Sequence, residues 1–166
     1  NGERFPLRLA VTEIDYLGDT AYVASIQDIT QYRSDQEKLE RVAHSDALTG
    51  LANRTALNHN LHHAIIRADR NKQQVALLYI DLDRFKQVND SFGHLLGDEL
   101  IHLVAQKLAS RARKTDCLGR LGGDELLLIL ENITTEATAA DIAGSLIELF
   151  SEQPFTLSNG AEVLSV

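Results

Sequence analysis

The chain has 166 residues, the length of one domain of ordinary size with an appendage, and 44% of them are apolar, enough to bury a core. A formal net charge of −8 makes nucleic acid and anionic membranes poor partners, so a phosphate ligand would need metal ions or local basic residues. The single cysteine, Cys117, excludes an internal disulfide and fits a reducing compartment, and no apolar run reaches the ~18 residues of a membrane span. Because there is no methionine, even at position 1, we interpret the chain as a piece of a longer protein.

The first thirty residues have the pattern of two β-strands. Apolar residues alternate from Phe5 to Val11 at the period of a half-buried strand, and a second strand follows at residues 21–29, after a turn-like stretch at 16–20. Two strands alone are only marginally stable, so we expect further strands of the same sheet upstream.

Residues 31–45 predict a linking helix, because they are rich in Gln, Glu, Lys, Arg and Leu and contain no Gly or Pro. Thr30 or Ser34 is the expected cap. A partial apolar seam, interrupted at Asp35, suggests that this helix could pair with a copy of itself. The seam consists of Ile29, Tyr32, Leu39 and Val42.

A glycine-bearing polar joint at residues 46–54 precedes a second predicted helix. The core face of this helix should carry Leu57, Leu61, Ala64, Ile65 and Ala68. His59 and His63 have the spacing of a metal-binding pair, but no acidic third ligand lies nearby, so we favour a solvated helix face.

Residues 75–80 form a continuous apolar run, which is typical of a central strand buried on both faces. Asp81 and Asp83 follow it two residues apart and should therefore share one face. A further helix is predicted from Asp98 to about Ala112.

The most informative stretch is residues 120–130, where two apolar runs flank Gly122 and Gly123 and predict a β-hairpin. Asp124 and Glu125 come next, and adjacent acids repel each other unless a cation or a donor compensates them. A solvated turn is the simpler interpretation, and a metal- and phosphate-binding hairpin is the alternative. A helix at 136–151 and a second hairpin at 155–166 follow, and this alternation argues for an α/β or α+β sheet covered by helices.

Several polar residues suit a nucleotide. Asp81, Asp124 and Glu125 would make a hard-cation site if the strand and the hairpin are neighbours in one sheet, and glycines at the turn would let a bulky ligand approach. Asn89 and Asp98 carry groups that match a purine edge, and Lys86 offers a positive charge for phosphate. The simpler interpretations are that Asp83 fixes its loop, that Asn89 caps a turn and that Asp98 is a first-turn helix acid. Together, these groups beside a glycine hairpin favour a site.

Three motifs resemble those of a known family. They are the run DLDRFKQVND at 81–90 with Phe92-Gly93-His94 and Gly97-Asp98, the run RLGGDE at 120–125, and the joint DALTGLANR at 46–54. Together they resemble the GGDEF family of diguanylate cyclases from about Asp46 to Val166. The upstream strands, with Asp28-Ile29-Thr30, resemble the last strands of a PAS sensor domain and its exit motif.

The resemblance implies an organisation and a fold. Residues 1–30 would be the C-terminal strands of a PAS-like sensor domain, 31–45 a signalling helix, and 46–166 a GGDEF domain that lacks its C-terminal portion. The implied fold is α+β, a nucleotidyl-cyclase-like central, mainly antiparallel sheet wrapped by helices and C-terminally truncated.

The resemblance also implies a reaction, in which two GTP molecules condense into cyclic di-GMP and two pyrophosphates across a homodimer. Each protomer would hold one GTP, and each ribose 3′-oxygen would attack the α-phosphorus of the other nucleotide. The implied metal is Mg²⁺ or Mn²⁺, held by Asp81, the Leu82 carbonyl and Asp124. Asp124 and Glu125 are the implied catalytic acids, although the part that Glu125 takes in activating the 3′-hydroxyl stays open. The implied GTP-binding residues are Asn89 and Asp98 at guanine, with Phe85, Lys86, Gly122 and Gly123.

Arg113 and Asp116 resemble the Arg-x-x-Asp inhibitory site of the same family, at which cyclic di-GMP binds as product. The simpler interpretation is a helix-terminal arginine and an N-capping aspartate. The position just ahead of the signature hairpin favours product inhibition.

The chain departs from the family pattern in two ways. Leu126 stands where the family has Phe, an apolar exchange that we expect to be tolerated. The strand, helix and basic residues that follow in the family lie beyond residue 166, so we expect this fragment alone to be a weak or inactive cyclase.

Other functions stay open from the sequence. The alternative is a non-catalytic GTP- or cyclic di-GMP-binding module that controls a downstream phosphodiesterase domain, and a third reading is a dimerising linker. We expect a cytoplasmic location, no nucleic-acid partner and an upstream sensor domain in a parent that could be tethered to a membrane.

Overall fold

The computed structural model describes residues 4–17, 19–151 and 154–163, and its chain divides into two compact units, Asn1–Val42 and Ala43–Val166. Gly18 of the predicted first turn and residues 164–166 of the predicted last strand lie outside the described residues. Within the described part, no helix is both long and apolar enough to cross a membrane.

The first unit contains the predicted hairpin. Strands β1 (Leu7–Tyr16) and β2 (Asp19–Asp28) pair antiparallel along their whole length. The prediction that one face of these strands is buried is wrong, because apolar side chains on both strands are exposed. In the described residues the hairpin has no second layer to pack against, and the expectation of upstream strands stays a prediction.

Helix α1 (Thr30–His44) follows β2 within one residue of its predicted bounds. Its cap differs from the prediction: Asp28, not Thr30 or Ser34, accepts hydrogen bonds from Thr30 N at 2.8 Å and Thr30 Oγ1 at 2.6 Å. These bonds lower the pKa of Asp28. A carboxylate just ahead of the helix thus serves an N–H of the first turn, which has no partner within the helix. The seam residues Tyr32, Leu39 and Val42 are exposed.

The second unit is an α+β domain built on a three-stranded antiparallel sheet. Its elements are α2 (Arg54–Asn71), β3 (Gln74–Ile80), α3 (Phe85–Phe92), α4 (His94–Ala109), β4 (Cys117–Gly122), β5 (Glu125–Ile133), α5 (Glu136–Ser151), β6 (Phe155–Thr156) and β7 (Glu162–Val163). The strand order is β3-β5-β4, and β6 and β7 form a separate hairpin. The antiparallel sheet with helices confirms the fold class that the family resemblance implied.

Strand β5 occupies the centre of this sheet. Its residues Leu126 to Leu130 are all buried, because the strand pairs on both sides and has a helical layer on each face. Leu126, Leu128 and Leu130 pack into the cluster that contains α4 and α5 side chains, whereas Leu127 and Ile129 pack with Leu57 and Ala64 of α2.

The prediction that residues 75–80 form a strand buried on both faces is wrong. In the described part of the chain β3 lies at an edge of the sheet, and Leu77 and Tyr79 are 49% and 62% exposed. An apolar run indicates a strand but does not show which of several apolar strands is central. Ile65, predicted on the core face of α2, is likewise exposed.

Helix α4 begins four residues earlier than predicted and ends three residues earlier. Gly93, with φ of 84°, separates it from α3, and α4 starts at the next residue. Asp98 therefore lies beyond the first turn of α4, so its interpretation as a first-turn acid is wrong. The end of α4 at Ala109 leaves Arg113 in the loop before β4.

The burial of Leu126 generates a stability prediction. Leu126 is fully buried, so Leu126→Ala should lower the free energy of unfolding of this domain by about 3 kcal/mol through lost apolar burial and a residual cavity. Urea-induced unfolding of the full-length protein, followed by hydrogen exchange of the β5 amides, measures this change. Leu95→Ala removes the same atoms from a side chain that is 86% exposed and should change stability by less than about 0.5 kcal/mol. Equal effects of the two substitutions would contradict the burial of Leu126.

Candidate functional site

The sheet brings the predicted acidic residues to one end of the domain. Ile80 pairs with Leu126 and Tyr79 with Leu127, and continuing this register by one residue sets Asp81 opposite Glu125 on the same face. Residues directly opposite in an antiparallel pair have Cβ atoms about 5 Å apart. The pairing of β3 with β5 therefore brings Asp81 close to the glycine hairpin, as the sequence predicted.

Tyr79 belongs to this acidic group, although the sequence did not indicate it. Its pKa is raised, first by partial desolvation of the hydroxyl and then by the negative charge of Glu125 and a hydrogen bond to it, with a smaller effect of Asp81. The positive charge of Arg54 acts in the opposite direction. Because Tyr79 precedes Asp81 by two residues, the strand period places both side chains on the face of Glu125. This spacing could have identified Tyr79, but its position within an apolar run gave no reason to assign its hydroxyl to the site.

The hairpin turn is open on its outer side. Gly122 and Gly123 have φ values of 141° and 58°, and a Cβ added to either would meet no atom within 4 Å. The backbone conformation thus favours glycine, and the space beside it is free for a ligand. These observations fit the predicted approach of a bulky group to Gly122 and Gly123.

The oxygen donors expected to hold a metal are Asp81, the Leu82 carbonyl and Asp124. Leu82 buries its side chain, and its carbonyl accepts one hydrogen bond, from Phe85 N at 3.2 Å, which leaves it a second lone pair. Asp124 lies partly buried in the turn. Among the described residues no three His, Cys, Asp or Glu side chains are grouped to hold a metal. The predicted donors are two carboxylates and one backbone carbonyl. Such hard oxygen donors fit Mg²⁺ or Mn²⁺.

Asn89 has an unusual environment. Its Oδ1 is buried and has no hydrogen-bond partner, so its interpretation as a turn-capping side chain is wrong. A buried acceptor without a partner costs about 1–3 kcal/mol, a cost that a ligand donor would remove. Asp98, on the next helix, is exposed and free to approach the same ligand.

Gly97 makes room for Asn89. A Cβ at residue 97 would lie 2.0 Å from Asn89 Oδ1 and 3.2 Å from Phe85 Cζ. The structure therefore brings Phe85, Asn89 and Gly97 together where α3 meets α4, and Asp98 follows Gly97 directly in the chain. Gly97 was noted only as part of a motif, because the predicted helix began one residue later, at Asp98. The structure places Gly97 inside α4, where alanine would be more stable in the absence of a steric reason for glycine. Lys86 lies exposed in the first turn of α3.

Arg113 and Asp116 form a closed turn ahead of β4. Asp116 Oδ2 accepts from Arg113 N at 3.0 Å, and Asp116 N donates to Arg113 O at 3.0 Å. Asp116 precedes a strand, so its interpretation as a helix N-cap is wrong, as is that of Arg113 as a helix-terminal residue. Both residues line a cavity of about 210 Å³ together with Arg111, Leu128 and residues of α5.

The histidine pair on α2 differs from these groups. His59 Nε2 and His63 Nε2 lie 3.1 Å apart on an exposed face, with no third ligand grouped with them among the described residues. We retain the interpretation of a solvated face.

Cys117 is partly buried and accepts a hydrogen bond from Asn60 Nδ2 at 3.1 Å, and burial raises the pKa of its thiol, in agreement with a core role.

Acids at an open glycine hairpin, together with a buried amide oxygen that has no partner at the junction of two helices, are features expected of a nucleotide-binding α+β domain. The family described as "Diguanylate cyclase, GGDEF domain" matches residues 43–165. This chain therefore belongs to the GGDEF domain family.

Similar proteins agree with this assignment. The chain is 43% identical over 118 residues to the cyclic di-GMP phosphodiesterase PdeR of Escherichia coli, covering 71% of this chain and 18% of PdeR. It is 40% identical over 135 residues to the E. coli diguanylate cyclase DgcM, covering 81% of this chain and 32% of DgcM. The solved coiled coil and GGDEF domain of DgcB from Caulobacter crescentus, in complex with c-di-GMP, has a TM-score of 0.72 and 28% identity, covering 82% of this chain and 71% of that one. The chain thus spans about a fifth to a third of these two curated relatives.

The clearance at Gly97 generates a binding prediction. Gly97→Ala should displace the Asn89 amide and weaken GTP binding to the full-length protein about tenfold, because a well-placed hydrogen bond to the base is lost. Isothermal titration calorimetry measures the dissociation constant. Gly144→Ala is the matched control, since it also lies within a helix and its added Cβ would meet no atom within 4 Å. Unchanged GTP affinity of the Gly97→Ala variant would contradict the assignment of Asn89 to the nucleotide site.

Proposed function

We propose that this chain is the nucleotide-binding part of a diguanylate cyclase, which condenses two GTP molecules into cyclic di-GMP and two pyrophosphates. The observation that carries the proposal is the strand register that sets Asp81 beside Glu125 at the open glycine hairpin. Membership of the GGDEF family and the similarity to DgcM support the same reaction.

In this proposal the chain's own residues orient the two ends of GTP. Asn89 and Asp98 bind the guanine edge, and Phe85 and Gly97 shape the space around Asn89. Lys86 contacts the phosphates, which pass beside Gly122 and Gly123 because no side chain intrudes there. Positioning of this kind supplies much of the catalysis in phosphoryl transfer.

Asp81, the Leu82 carbonyl and Asp124 would hold a divalent metal, which we propose to be Mg²⁺ or Mn²⁺ from the oxygen-only donor set. When bound, such a metal neutralises phosphate charge and polarises the α-phosphorus. The 3′-hydroxyl of one ribose releases its proton to solvent as its oxygen forms a bond to the α-phosphorus of the other nucleotide, and the bond from that phosphorus to pyrophosphate breaks. Glu125 is the second acid at this place, next to Tyr79, whose pKa is raised by desolvation and then by the negative charge of Glu125.

The reaction requires two nucleotides, so we propose that two copies of the protein act together. Each copy supplies one guanine site at α3–α4 and one acidic hairpin, and symmetry then places the two nucleotides face to face. The exposed seam of Tyr32, Leu39 and Val42 on α1 supports a homodimer through this helix.

Residues upstream of α1 are proposed to be the last strands of a PAS-like sensor domain. The hairpin exposes apolar side chains as strands of a larger sheet would, and Asp28 of the Asp-Ile-Thr exit motif caps the following helix. A GTP-using enzyme of this kind would work in the cytoplasm. A downstream phosphodiesterase domain is the further expected neighbour in the parent chain.

A second candidate is a non-catalytic GTP- or cyclic di-GMP-binding module that controls a phosphodiesterase domain. The similarity to PdeR, named as a cyclic di-GMP phosphodiesterase, favours it. The presence of Asp81, Asp124 and Glu125 together favours the enzyme.

One substitution separates the two candidates. Asp124→Ala in the full-length protein should reduce formation of cyclic di-GMP from GTP at least a hundredfold, because a carboxylate that holds charge at the reacting phosphate is removed. Chromatographic detection of the product measures the rate. Asp141→Ala removes an exposed acid of α5 and should leave the rate unchanged. If the wild-type protein makes no product while GTP still alters phosphodiesterase activity, the regulatory module is correct.

Product inhibition is proposed at the turn of Arg113 and Asp116, supported by the adjoining cavity and by the DgcB domain solved with c-di-GMP. The guanidinium of Arg113 would bind a product phosphate, and the carboxylate of Asp116 would accept from guanine. Arg113→Ala should raise the concentration of cyclic di-GMP that halves the initial rate by tenfold or more. Lys114→Ala, an exposed cation one residue away, should not change this concentration. Equal inhibition of the Arg113 variant and the wild type would contradict the assignment.

A further inference from the structure

Arg120 connects the glycine hairpin to a distant turn. Its Nε and Nη2 donate to the Gly123 carbonyl at 2.9 and 2.7 Å, and its Nη1 donates to Asp46 Oδ1 and Oδ2 at 3.2 and 3.3 Å. The Gly123 carbonyl belongs to the peptide bond that leads directly into Asp124. One guanidinium therefore holds the backbone next to the acidic pair.

Asp46 is itself firmly held. Thr49 donates to Asp46 Oδ1 from its backbone N at 2.9 Å and from Oγ1 at 2.8 Å, and Asp46 N donates to Leu51 O at 2.8 Å. Burial opposes the ionisation of Asp46, but the hydrogen bonds from Thr49 and Arg120 outweigh it and lower the pKa. The side chains of Arg120 and Asp46 are only 13% and 21% exposed, so solvent screens this pair less than a surface ion pair.

The turn that carries Asp46 has a fixed position against the sheet. Arg120 N donates to Ala52 O at 2.9 Å, and Ala52 N donates to Leu118 O at 3.3 Å. A Cβ at Gly119 would lie 2.5 Å from Ala52 O, so glycine is needed for this close approach. Asn53 adds two bonds to the last residues of α1, from Nδ2 to Ala43 O and from N to His44 O, both at 3.0 Å.

The hairpin needs such an anchor. Gly122 and Gly123 have the largest backbone freedom of any residue type, and a Cβ added to either would meet no atom within 4 Å, so side-chain packing does not restrict the turn at these positions. Arg54 supports the strand just ahead of them, by bonds to Leu121 O at 3.4 and 3.2 Å. Asp124 and Glu125 follow immediately, so disorder of the turn would pass directly to both carboxylates. A displacement of about 1 Å at reacting groups can reduce a rate a hundredfold.

We propose that Arg120 is a positioning residue for the acidic hairpin: anchored by Asp46, its guanidinium fixes the Gly123 carbonyl and thereby the placement of Asp124 and Glu125. The inference rests on the proposed function only in treating this hairpin as the reacting part of the site. Asp46 acts through Arg120 and touches no ligand.

Kinetics of the full-length protein test the proposal. Arg120→Lys keeps the charge but loses the planar fork, and Asp46→Asn weakens the anchor while leaving Arg120 intact. We expect both to lower kcat for cyclic di-GMP formation about tenfold to a hundredfold, with KM for GTP within twofold, because Asn89 and Asp98 lie on other elements. Arg67→Lys is the control. It alters the bidentate pair between Arg67 of α2 and Glu131 of β5, at 2.6 and 2.9 Å, away from the hairpin, and should leave kcat unchanged.

The exchanged double variant, Asp46→Arg with Arg120→Asp, separates positioning from simple ion pairing. It can restore opposite charges, but an aspartate at 120 cannot donate to the Gly123 carbonyl, so we expect kcat to stay low. Recovery of kcat would overturn the proposal.

Hydrogen exchange of the Gly123, Asp124 and Glu125 amides gives a readout that does not depend on activity. We expect exchange of these three amides to be at least tenfold faster in Arg120→Lys and Asp46→Asn than in the wild type and Arg67→Lys, with the exchange of residues 126–133 of β5 unchanged. Equal hairpin exchange in all four proteins overturns the proposal. An inactive wild type would contradict the proposed function alone, and the exchange result would still decide the role of Arg120. Should Arg120→Lys not fold, Asp46→Asn decides it, because that substitution retains the guanidinium.

Discussion

The pairing of β5 with a neighbour on each side is the constraint on which the rest of the domain depends. It buries five consecutive apolar residues, each worth about 1.5–3 kcal/mol when removed from water, and it orders two helical layers around one strand. The same register places the C-terminal end of β3 beside the start of β5. Stability and the placement of Asp81 beside Glu125 therefore have one origin.

The two ends of the candidate nucleotide site are built in different ways. At the hairpin, the two glycines leave space for a ligand, and the neighbouring acids provide negative charge that a cation would stabilise. At the junction of α3 and α4, it leaves a buried amide oxygen without a partner and removes a Cβ to make room for it. Both arrangements cost stability in the protein itself, a cost that the proposed guanine nucleotide would offset.

Two arginines connect the hairpin with the joint at residues 46–54. Arg120 binds both Gly123 O and Asp46, and Arg54 of the joint donates to Leu121 O at 3.4 and 3.2 Å. An open turn of two glycines would be a poor support for catalytic acids, whereas a bidentate donor with a sheltered counter-ion restricts it at a single carbonyl. Since the same joint also bonds to the last residues of α1, the position of the joint affects both the helix end and the turn.

Much of this protein followed from local pattern. The period of apolar residues predicted the other helices and strands to within a few residues but not α3, and the glycine pair between apolar runs predicted the hairpin, because these features depend on near neighbours along the chain. The acids of the hairpin and the Asn89 motif were likewise identified in the sequence. Local pattern failed for β3, since an apolar run has the same appearance at the edge and at the centre of a sheet.

The amino-acid sequence by itself determined most of the helices and strands, the acidic hairpin and the family. Only the tertiary structure decided that β5 rather than β3 is central, that Gly97 makes room for Asn89, and that Arg120 joins Gly123 to an aspartate 74 residues earlier. The physical reason is that periodicity reports which face of an element is apolar, whereas the partner that covers the face, or the carbonyl that a guanidinium reaches, depends on packing between distant segments.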